Sequence, residues 1–218
     1  MKRVRLLLIS DPRWSEERIA AVAEKAASAV PGFAVQLRDR SARTDDDLLP
    51  FAMRLREITA RHGAMLIVNR RFGLARRIGA DGVHAPVAET EAETETESET
   101  ETETETESAR MWRSAPAHSD EDVRRARDAG VDAVLVSPIF EVPGKGLARG
   151  LGAIRAACAV APELQIIALG GVEVESAARC VEAGASGVAV IRALLAAADP
   201  AAAARALAAE RVSRSRAD

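Results

Sequence analysis

Two kinds of segment alternate along almost the whole chain, and this alternation limits the folds available to it. Short apolar runs, typical of buried strands, are separated by alanine- and arginine-rich stretches with helical spacing. Because the runs are apolar almost throughout, they predict a parallel sheet covered by helices on its faces. The apolar runs occupy residues 4–9, 34–37, 64–68, 82–84, 132–136, 165–169 and 187–191, and clear helical stretches occupy residues 16–30, 45–63 and 119–130.

The number of repeated units favours a closed barrel. The segments "AGVDAVLV" (129–136) and "AGASGVAVI" (183–191) use the same joint, a glycine-terminated helix followed by a strand. A weaker, eighth strand is predicted at residues 111–115. Eight such units in about 200 residues predict a (β/α)₈ TIM barrel. A doubly wound open sheet is the alternative, but the chain lacks the early glycine-rich turn of a dinucleotide-binding sheet.

A run of alternating glutamates interrupts the pattern between the fourth and fifth strands. Residues 89–108 contain ten Glu and no Lys or Arg. Glutamates four residues apart repel each other in a helix, and the run has no apolar face that a strand could bury. We therefore predict a single barrel over residues 1–218 in which a disordered insertion replaces or displaces the fourth helix. Residues 210–218 are expected to form a polar tail, and the lost helical cover suggests a homodimer.

The charge of the remaining chain suits an anionic ligand. Outside the run the chain has 30 basic and 23 acidic residues. Aromatic residues are 3% of the chain, so stacking platforms for nucleic acid are few and none is expected as a partner. The apolar run near the N-terminus is too short for a signal peptide, and no stretch is long enough to span a membrane. We expect a cytoplasmic protein in which Cys158 and Cys180 are buried thiols.

Polar side chains follow the predicted strands, where a barrel places its chemistry. Gln36, Arg38 and Arg40 alternate at the end of the second strand, so they share one side and suit phosphate oxygens. A solvated strand end with salt bridges to Asp39 or Asp45 fits the same pattern. Further candidates are Asn69, at the end of the third strand, and Lys145, in the Pro/Gly-containing loop after the sixth.

The last two strands end in features typical of a phosphate site. Gly170 and Gly171 follow the seventh strand and allow a ligand to approach the backbone closely. The N–H groups of Ile191 and Arg192 lie where a helix begins, and a helix N-terminus favours an anion. The alternative is that the two glycines serve only a tight turn.

The three histidines have different expected roles. His118 follows the weak fifth strand and could transfer protons at the barrel mouth, although a surface histidine beside a helix is the alternative. His84 is expected to pack or form a hydrogen bond inside the barrel. His62 is expected to be an exposed residue at the C-terminus of a helix.

Taken in order, several motifs resemble thiamine phosphate synthases and the related TenI-type thiazole tautomerases. They are "LLLISD", "QLRDR", "VNRRFGLARRIGADGVHAP", "AHSDEDVRRARDAGVDAVLVSPIFEVPGKG" and "ALGGVEVESAARCVEAGASGVAVIRAL". The resemblance covers the chain apart from the acidic run and the last dozen residues. It implies a barrel that binds a small phosphorylated thiazole substrate, with His118 as acid/base. It also implies that Gly171, Ile191 and Arg192 hold the phosphate, and that Arg38, Arg40 and Lys145 contact the carboxylate or the ring substituents.

The two branches differ in their chemistry. A synthase joins a pyrimidine pyrophosphate to the thiazole phosphate and needs Mg²⁺, whereas a tautomerase moves a proton and needs no cofactor. In the synthase branch, Asn-Asp is typical at positions 69–70 and a second Asp follows the fourth strand. Here Arg70 replaces the first Asp, and the second position falls near Glu89. The chain also departs from the family at Pro116, where serine is common, and in the loop before Lys145.

Three hypotheses follow from the sequence. The main hypothesis is a TenI-type thiazole tautomerase with no metal ligand. The alternative is a thiamine phosphate synthase that uses Mg²⁺, with Glu89 as a candidate ligand. The third hypothesis is a non-catalytic regulator that binds a thiazole phosphate or thiamine phosphate.

Overall fold

A computed structural model describes residues 2–89, 110–144 and 146–208. Its strands are β1 (Leu6–Ile9), β2 (Phe33–Leu37), β3 (Met65–Asn69), β4 (Gly82–His84), β5 (Trp112–Ala117), β6 (Ala133–Val136), β7 (Gln165–Leu169) and β8 (Gly187–Val190). Its helices are α1 (Glu16–Ala29), α2 (Asp45–Arg61), α3 (Phe72–Arg77), α4 (Asp120–Asp128), α5 (Gly150–Val160), α6 (Val174–Glu182), α7 (Arg192–Leu195) and α8 (Pro200–Leu207).

The strands form a closed parallel barrel in chain order. Each strand pairs with the next, and β8 pairs with β1 through the register Leu7↔Ala189. This last pairing confirms the predicted (β/α)₈ barrel and excludes the open sheet. The weak eighth strand is also confirmed, since β5 pairs with β4 on one side and with β6 on the other.

Alternate residues of each strand pack into two separate apolar layers. In β1, Leu6 and Leu8 belong to the layer between strands and helices, whereas Leu7 and Ile9 belong to the core inside the barrel. Side chains of successive strand residues point to opposite faces, so a continuous apolar run fills both layers. Runs such as β1 are therefore apolar at every position, because neither face meets water.

Capping residues set the start of the longer helices. Ser15 caps α1, and its side chain accepts a hydrogen bond from the N–H of Arg18. Thr44 and Asp47 form a reciprocal capping box at the start of α2, with N–H to side-chain oxygen distances of 2.8 and 3.2 Å. These caps supply acceptors for N–H groups that have no partner inside the helix.

Partly buried aspartates join neighbouring units at the base of the barrel, opposite the carboxyl ends of the strands. Oδ2 of Asp81 accepts hydrogen bonds from the N–H of Leu66 at 2.9 Å and from the guanidinium of Arg56 at 2.8 Å. In the same way, Oδ2 of Asp132 accepts a hydrogen bond from the backbone N–H of Arg113 at 2.7 Å. Each carboxylate thus holds the start of one strand against the preceding unit.

The segment between β4 and β5 is described only at its ends. Residues 87–89 form a helical turn, and residues 90–109 lie outside the described residues. The predicted disorder of the insertion, like the polar tail over residues 210–218, therefore falls on parts of the chain that the structure does not describe. Within the described ranges, no helix combines the length and apolar character needed to cross a membrane.

Candidate active site at the barrel mouth

Polar side chains line the interior of the barrel at the carboxyl ends of β2, β3 and β4. Asn69 lies in register with His84, which lies in register with Ser114 of β5. Gln36 is 1% exposed, and within the described residues its Nε2 has no hydrogen-bond partner. A buried amide donor without a partner is energetically unfavourable. The Nε2 of Gln36 is therefore available as a donor at the mouth, and its predicted contact with substrate stays a prediction.

His84 is held inside the barrel in its neutral form. Its Nδ1 lies 2.9 Å from the hydroxyl of Ser114, which confirms the expected hydrogen bond. Burial, with smaller contributions from the charges of Arg38 and Arg70, lowers the pKa of His84 from 6.5 to about 4. Both guanidinium groups thus lie within electrostatic reach of this imidazole.

Arg38 and Arg40 continue from β2 into the mouth. The backbone of Arg38 exchanges hydrogen bonds with the hydroxyl of Ser10, at 2.7 and 3.0 Å, which fixes the strand end. The Arg38 side chain is half-buried and that of Arg40 is exposed. Burial lowers the pKa of the Arg38 guanidinium, and the nearby charge of Arg40 lowers it further.

The carboxylates that the sequence offered as partners for these arginines are engaged elsewhere. Asp39 pairs with Arg43 at 3.6 Å, and Asp45 pairs with Arg71 at 2.5 Å. Within the described part of the chain, neither forms an ion pair with Arg38 or Arg40. This arrangement favours the interpretation in which Arg38 and Arg40 are positioned for an anionic ligand. It disfavours the one in which salt bridges to Asp39 or Asp45 neutralise them.

Arg70, directly after β3, adds a further guanidinium to this half of the mouth. Its N–H donates to the carbonyl oxygen of His84 at 2.9 Å, and its φ of 58° is left-handed. The Arg70 side chain forms an ion pair with Glu89 at 3.2 Å. The position at which the synthase branch has a carboxylate is thus occupied by a cation that binds the other candidate metal ligand.

The donor set around Arg70 does not fit Mg²⁺. Magnesium prefers carboxylate and carbonyl oxygens in octahedral geometry. Among the residues that the structure describes, no three His, Cys, Asp or Glu side chains come together as metal ligands. Glu89 is paired with a guanidinium, which would also repel a divalent cation.

His118 lies at the exposed end of β5, on the other half of the mouth. Its Nδ1 is 3.0 Å from the backbone carbonyl oxygen of Ser137, at the end of β6. The backbone N–H of His118 donates to the carboxylate of Asp122 at 2.9 Å, and the Ser119 side chain caps α4. Contacts from two neighbouring units therefore hold this residue.

Gly170 and Gly171 are explained first by packing. Both have positive φ, 96° and 65°. A Cβ on Gly170 would lie 2.9 Å from the Cα of Pro138, and one on Gly171 would lie 2.8 Å from the carbonyl oxygen of Glu141. The loop after β6 thus lies directly against the end of β7, and neither position tolerates a side chain. The predicted contact with phosphate stays a prediction.

The end of β8 carries the remaining candidates. Ile191 is the residue before α7, and the exposed side chain of Arg192 pairs with Glu173 at 3.1 Å. The first N–H groups of a helix have no acceptor within it. The predicted contact of these N–H groups with an anion stays a prediction, while the Arg192 side chain is directed to a carboxylate of the preceding unit.

The structure assembles most, but not all, of the predicted site. Its described candidates lie at the same mouth, with Gln36, Asn69 and the arginines on one half and Gly170, Gly171, Ile191 and Arg192 on the other. Lys145 lies outside the described residues. Sequence reasoning missed Ser114, Ser137 and Glu173, the partners of His84, His118 and Arg192. Only the four-residue spacing between Ser114, in β5, and His118, directly after it, hinted that these two side chains share a face of the extended chain.

The chain is similar to known proteins in its sequence and in its fold. Residues 6–194 match the family model described as thiamine monophosphate synthase. The chain is 37% identical over 167 residues to the bifunctional protein ThiM/ThiE of Symbiobacterium thermophilum, covering 73% of this chain but 32% of that protein. The thiamine-phosphate synthase of Gloeobacter violaceus is 33% identical, and the match covers 90% of this chain and 54% of that protein. The chain therefore spans about a third and about half of the length of these two relatives.

A relative of similar length and a solved structure extend the comparison. The thiamine-phosphate synthase of Albidiferax ferrireducens is 34% identical over 209 residues, with 92% of this chain and 88% of that protein covered. A solved thiamine phosphate pyrophosphorylase from Pyrococcus furiosus has the same fold, with a TM-score of 0.77, 22% identity and 94% of each chain covered. The family model and the curated relatives show that the chain belongs to the thiamine monophosphate synthase family.

Proposed function

We propose that this chain is an enzyme of thiamine biosynthesis and that it catalyses the reaction of the thiamine-phosphate synthases. In this reaction a pyrimidine pyrophosphate is joined to a thiazole phosphate and pyrophosphate is released. The motifs of the sequence favour the tautomerase, whereas the names of the relatives support the synthase. The comparison therefore supports the synthase, which the sequence analysis gave as the alternative hypothesis, better than the tautomerase.

The observation that carries the proposal is the cluster of guanidinium groups on one half of the mouth, across from the turn at which a phosphate site is predicted. Arg38, Arg40 and Arg70 make one half strongly positive. The glycine turn and the start of α7 form the other half, which suits a smaller phosphate group. A synthase must hold two phosphorylated substrates at once, and a tautomerase holds one. Two separate anion sites therefore fit the synthase better.

The guanidinium groups would act on the leaving group. As the bond from the pyrimidine methylene carbon to the pyrophosphate oxygen breaks, the oxygen takes the electron pair and negative charge develops on pyrophosphate. Fixed positive charges near that oxygen stabilise this charge more strongly in a partly buried site than in water. The thiazole nitrogen supplies the new bond to carbon. No step is assigned to Mg²⁺, because those mouth residues that the structure describes do not fit it.

The tautomerase is a second candidate because of the way His118 is held. A carbonyl oxygen can only accept a hydrogen bond, so Nδ1 of His118 carries the hydrogen when it contacts Ser137. In the neutral ring, Nε2 is then free to accept a proton. A positioned imidazole of this kind suits the proton shift that makes the thiazole aromatic.

Two assays on the purified chain separate the candidates. The first supplies both substrates and measures pyrophosphate release, and the second supplies the thiazole tautomer precursor and measures aromatisation. Pyrophosphate release at a rate well above the background supports the synthase. Aromatisation without pyrophosphate release would replace it with the tautomerase, and binding without turnover in either assay would support the regulator.

A further inference from the structure

Arg70 is held in place at the mouth by its backbone. Its N–H donates to the carbonyl oxygen of His84 at 2.9 Å, which extends the pairing of β3 with β4 by one residue. The chain then turns through two left-handed residues, Arg70 and Arg71, before α3 begins. The Arg70 side chain therefore starts from a fixed backbone position at the mouth.

Glu89 is the counter-ion of this guanidinium. The two side chains meet at 3.2 Å, and they are 57% and 41% exposed. An ion pair this exposed contributes little free energy, because water screens it. An anion with more charge than one carboxylate, and with several oxygens, can therefore displace Glu89 from Arg70.

The neighbouring arginines increase the positive charge at the same place. Arg38 and Arg70 both lie within electrostatic reach of His84, and Arg40 lies within reach of Arg38. The carboxylate of Asp11, close to Arg38, is already bound by Arg13 at 2.6 Å. In the described part of the chain, Glu89 is therefore the carboxylate that forms an ion pair with one of the three mouth arginines, Arg38, Arg40 and Arg70.

We propose that Arg70 takes the place of the divalent cation at this mouth, so that a pyrophosphate group displaces Glu89 and binds without metal. The inference rests on the proposed function for the identity of the anion. It assigns Arg70 a binding role, with Glu89 as a counter-ion that weakens binding until it is displaced. A guanidinium can donate two parallel hydrogen bonds to phosphate oxygens, which a point charge cannot do.

Calorimetric titration with inorganic pyrophosphate tests this proposal directly. In buffer with EDTA, we expect the wild-type chain to bind pyrophosphate, Arg70→Gln to bind about tenfold more weakly or worse, and Glu89→Gln to bind several-fold more tightly. Arg77 and Asp46 form an exposed ion pair on the outside of the barrel, at 2.5 Å. Arg77→Gln and Asp46→Asn are therefore matched controls, which should bind as the wild type does.

A further variant reverses the substitution. Arg70→Asp restores a carboxylate beside Asn69, and Asp tolerates the left-handed backbone at this position. We expect this variant to have lost binding in EDTA and to regain it when Mg²⁺ is added. Thermal unfolding of each variant, followed by circular dichroism, shows that the chain is folded under the conditions of the titration.

The outcomes separate this inference from the proposed function. Wild-type binding that requires Mg²⁺, binding that is unchanged in Arg70→Gln, or no binding of pyrophosphate in either buffer would overturn the role of Arg70. Synthase turnover that depends strictly on Mg²⁺ would retain the proposed function and overturn this inference. Metal-free binding that is lost in Arg70→Gln, in a chain that releases no pyrophosphate from substrates, would retain the inference and overturn the function.

Discussion

The Nδ1 atom of His118 lies 3.0 Å from the backbone carbonyl oxygen of Ser137, so one imidazole joins the ends of β5 and β6. This contact sets the tautomer of the neutral ring, with the hydrogen on Nδ1 and the lone pair on Nε2. The side chain is exposed at the mouth. The residue is thus prepared to accept a proton, and its contribution depends on which reaction the chain catalyses.

Replacing His118 should affect the two candidate reactions differently. We expect His118→Gln to lower aromatisation by about 10²- to 10⁴-fold, the usual contribution of a general acid or base. Pyrophosphate release should stay within about tenfold of the wild type, because the condensation as proposed assigns no proton transfer to this ring. Steady-state kinetics of both reactions measure this, with His62→Gln as the control, since His62 pairs with Glu24 away from the mouth. Loss of pyrophosphate release with unchanged substrate binding would show that His118 takes part in the condensation.

His84 should make the folded chain less stable as the pH falls. Its pKa is about 4 in the folded chain and 6.5 in the absence of burial. Between these values the unfolded chain binds a proton that the folded chain does not, so the free energy of unfolding decreases from about pH 6.5 to about pH 4. Urea unfolding at several pH values should show this decrease in the wild type and a smaller one in His84→Gln. An NMR titration that placed the pKa of His84 near 6.5 would contradict the prediction.

Gly171 should be far less tolerant of substitution than a glycine of similar backbone conformation. Gly171 and Gly79 have φ values of 65° and 60°, so alanine is strained at both. A Cβ at Gly171 would also lie 2.8 Å from two atoms of the loop after β6, whereas at Gly79 it meets nothing within 4 Å. We expect Gly79→Ala to lose about 1 kcal/mol of unfolding free energy and Gly171→Ala about 3 kcal/mol. Equal losses of unfolding free energy in the two variants, measured by urea unfolding, would show that the loop after β6 moves to accommodate the new side chain without strain.

Asp81 should matter for stability but not for turnover. Its carboxylate accepts from Leu66, Arg56 and Lys2, and its side chain is 10% exposed. Asp81→Ala leaves a buried N–H and a half-buried guanidinium without this partner, so we expect a loss of about 2–4 kcal/mol in urea unfolding.

The comparison for Asp81 is an exposed carboxylate in an ion pair with another arginine. Asp46 is 81% exposed and pairs with Arg77, so Asp46→Ala should lose less than about 1 kcal/mol. The kcat of the folded Asp81 variant should match the wild type, since Asp81 lies at the opposite end of the barrel from the mouth. If Asp81→Ala lowered the free energy of unfolding as little as Asp46→Ala does, the structural role assigned to Asp81 would be contradicted.

Much of the fold was predictable because it depends on patterns that recur along the chain. Runs such as Leu6–Ile9 are apolar at every position, and glycine-terminated helices precede several strands. β5 was the least certain strand, because Trp112–Ala117 contains Arg113 and Pro116 and is not a continuous apolar run. It became a strand through its pairing with β4 and β6, since a closed barrel needs a strand at that place.

The sequence alone determined the alternation of strands and helices, the residues at the ends of the strands and the family to which they point. Each of these depends on the order of residue types over short distances. Tertiary structure decided that Arg70 faces Glu89, that His118 contacts Ser137 and that the loop at Pro138 lies against Gly170. These pairs are between 19 and 32 residues apart in the chain, and the parallel pairing of neighbouring strands brings them together.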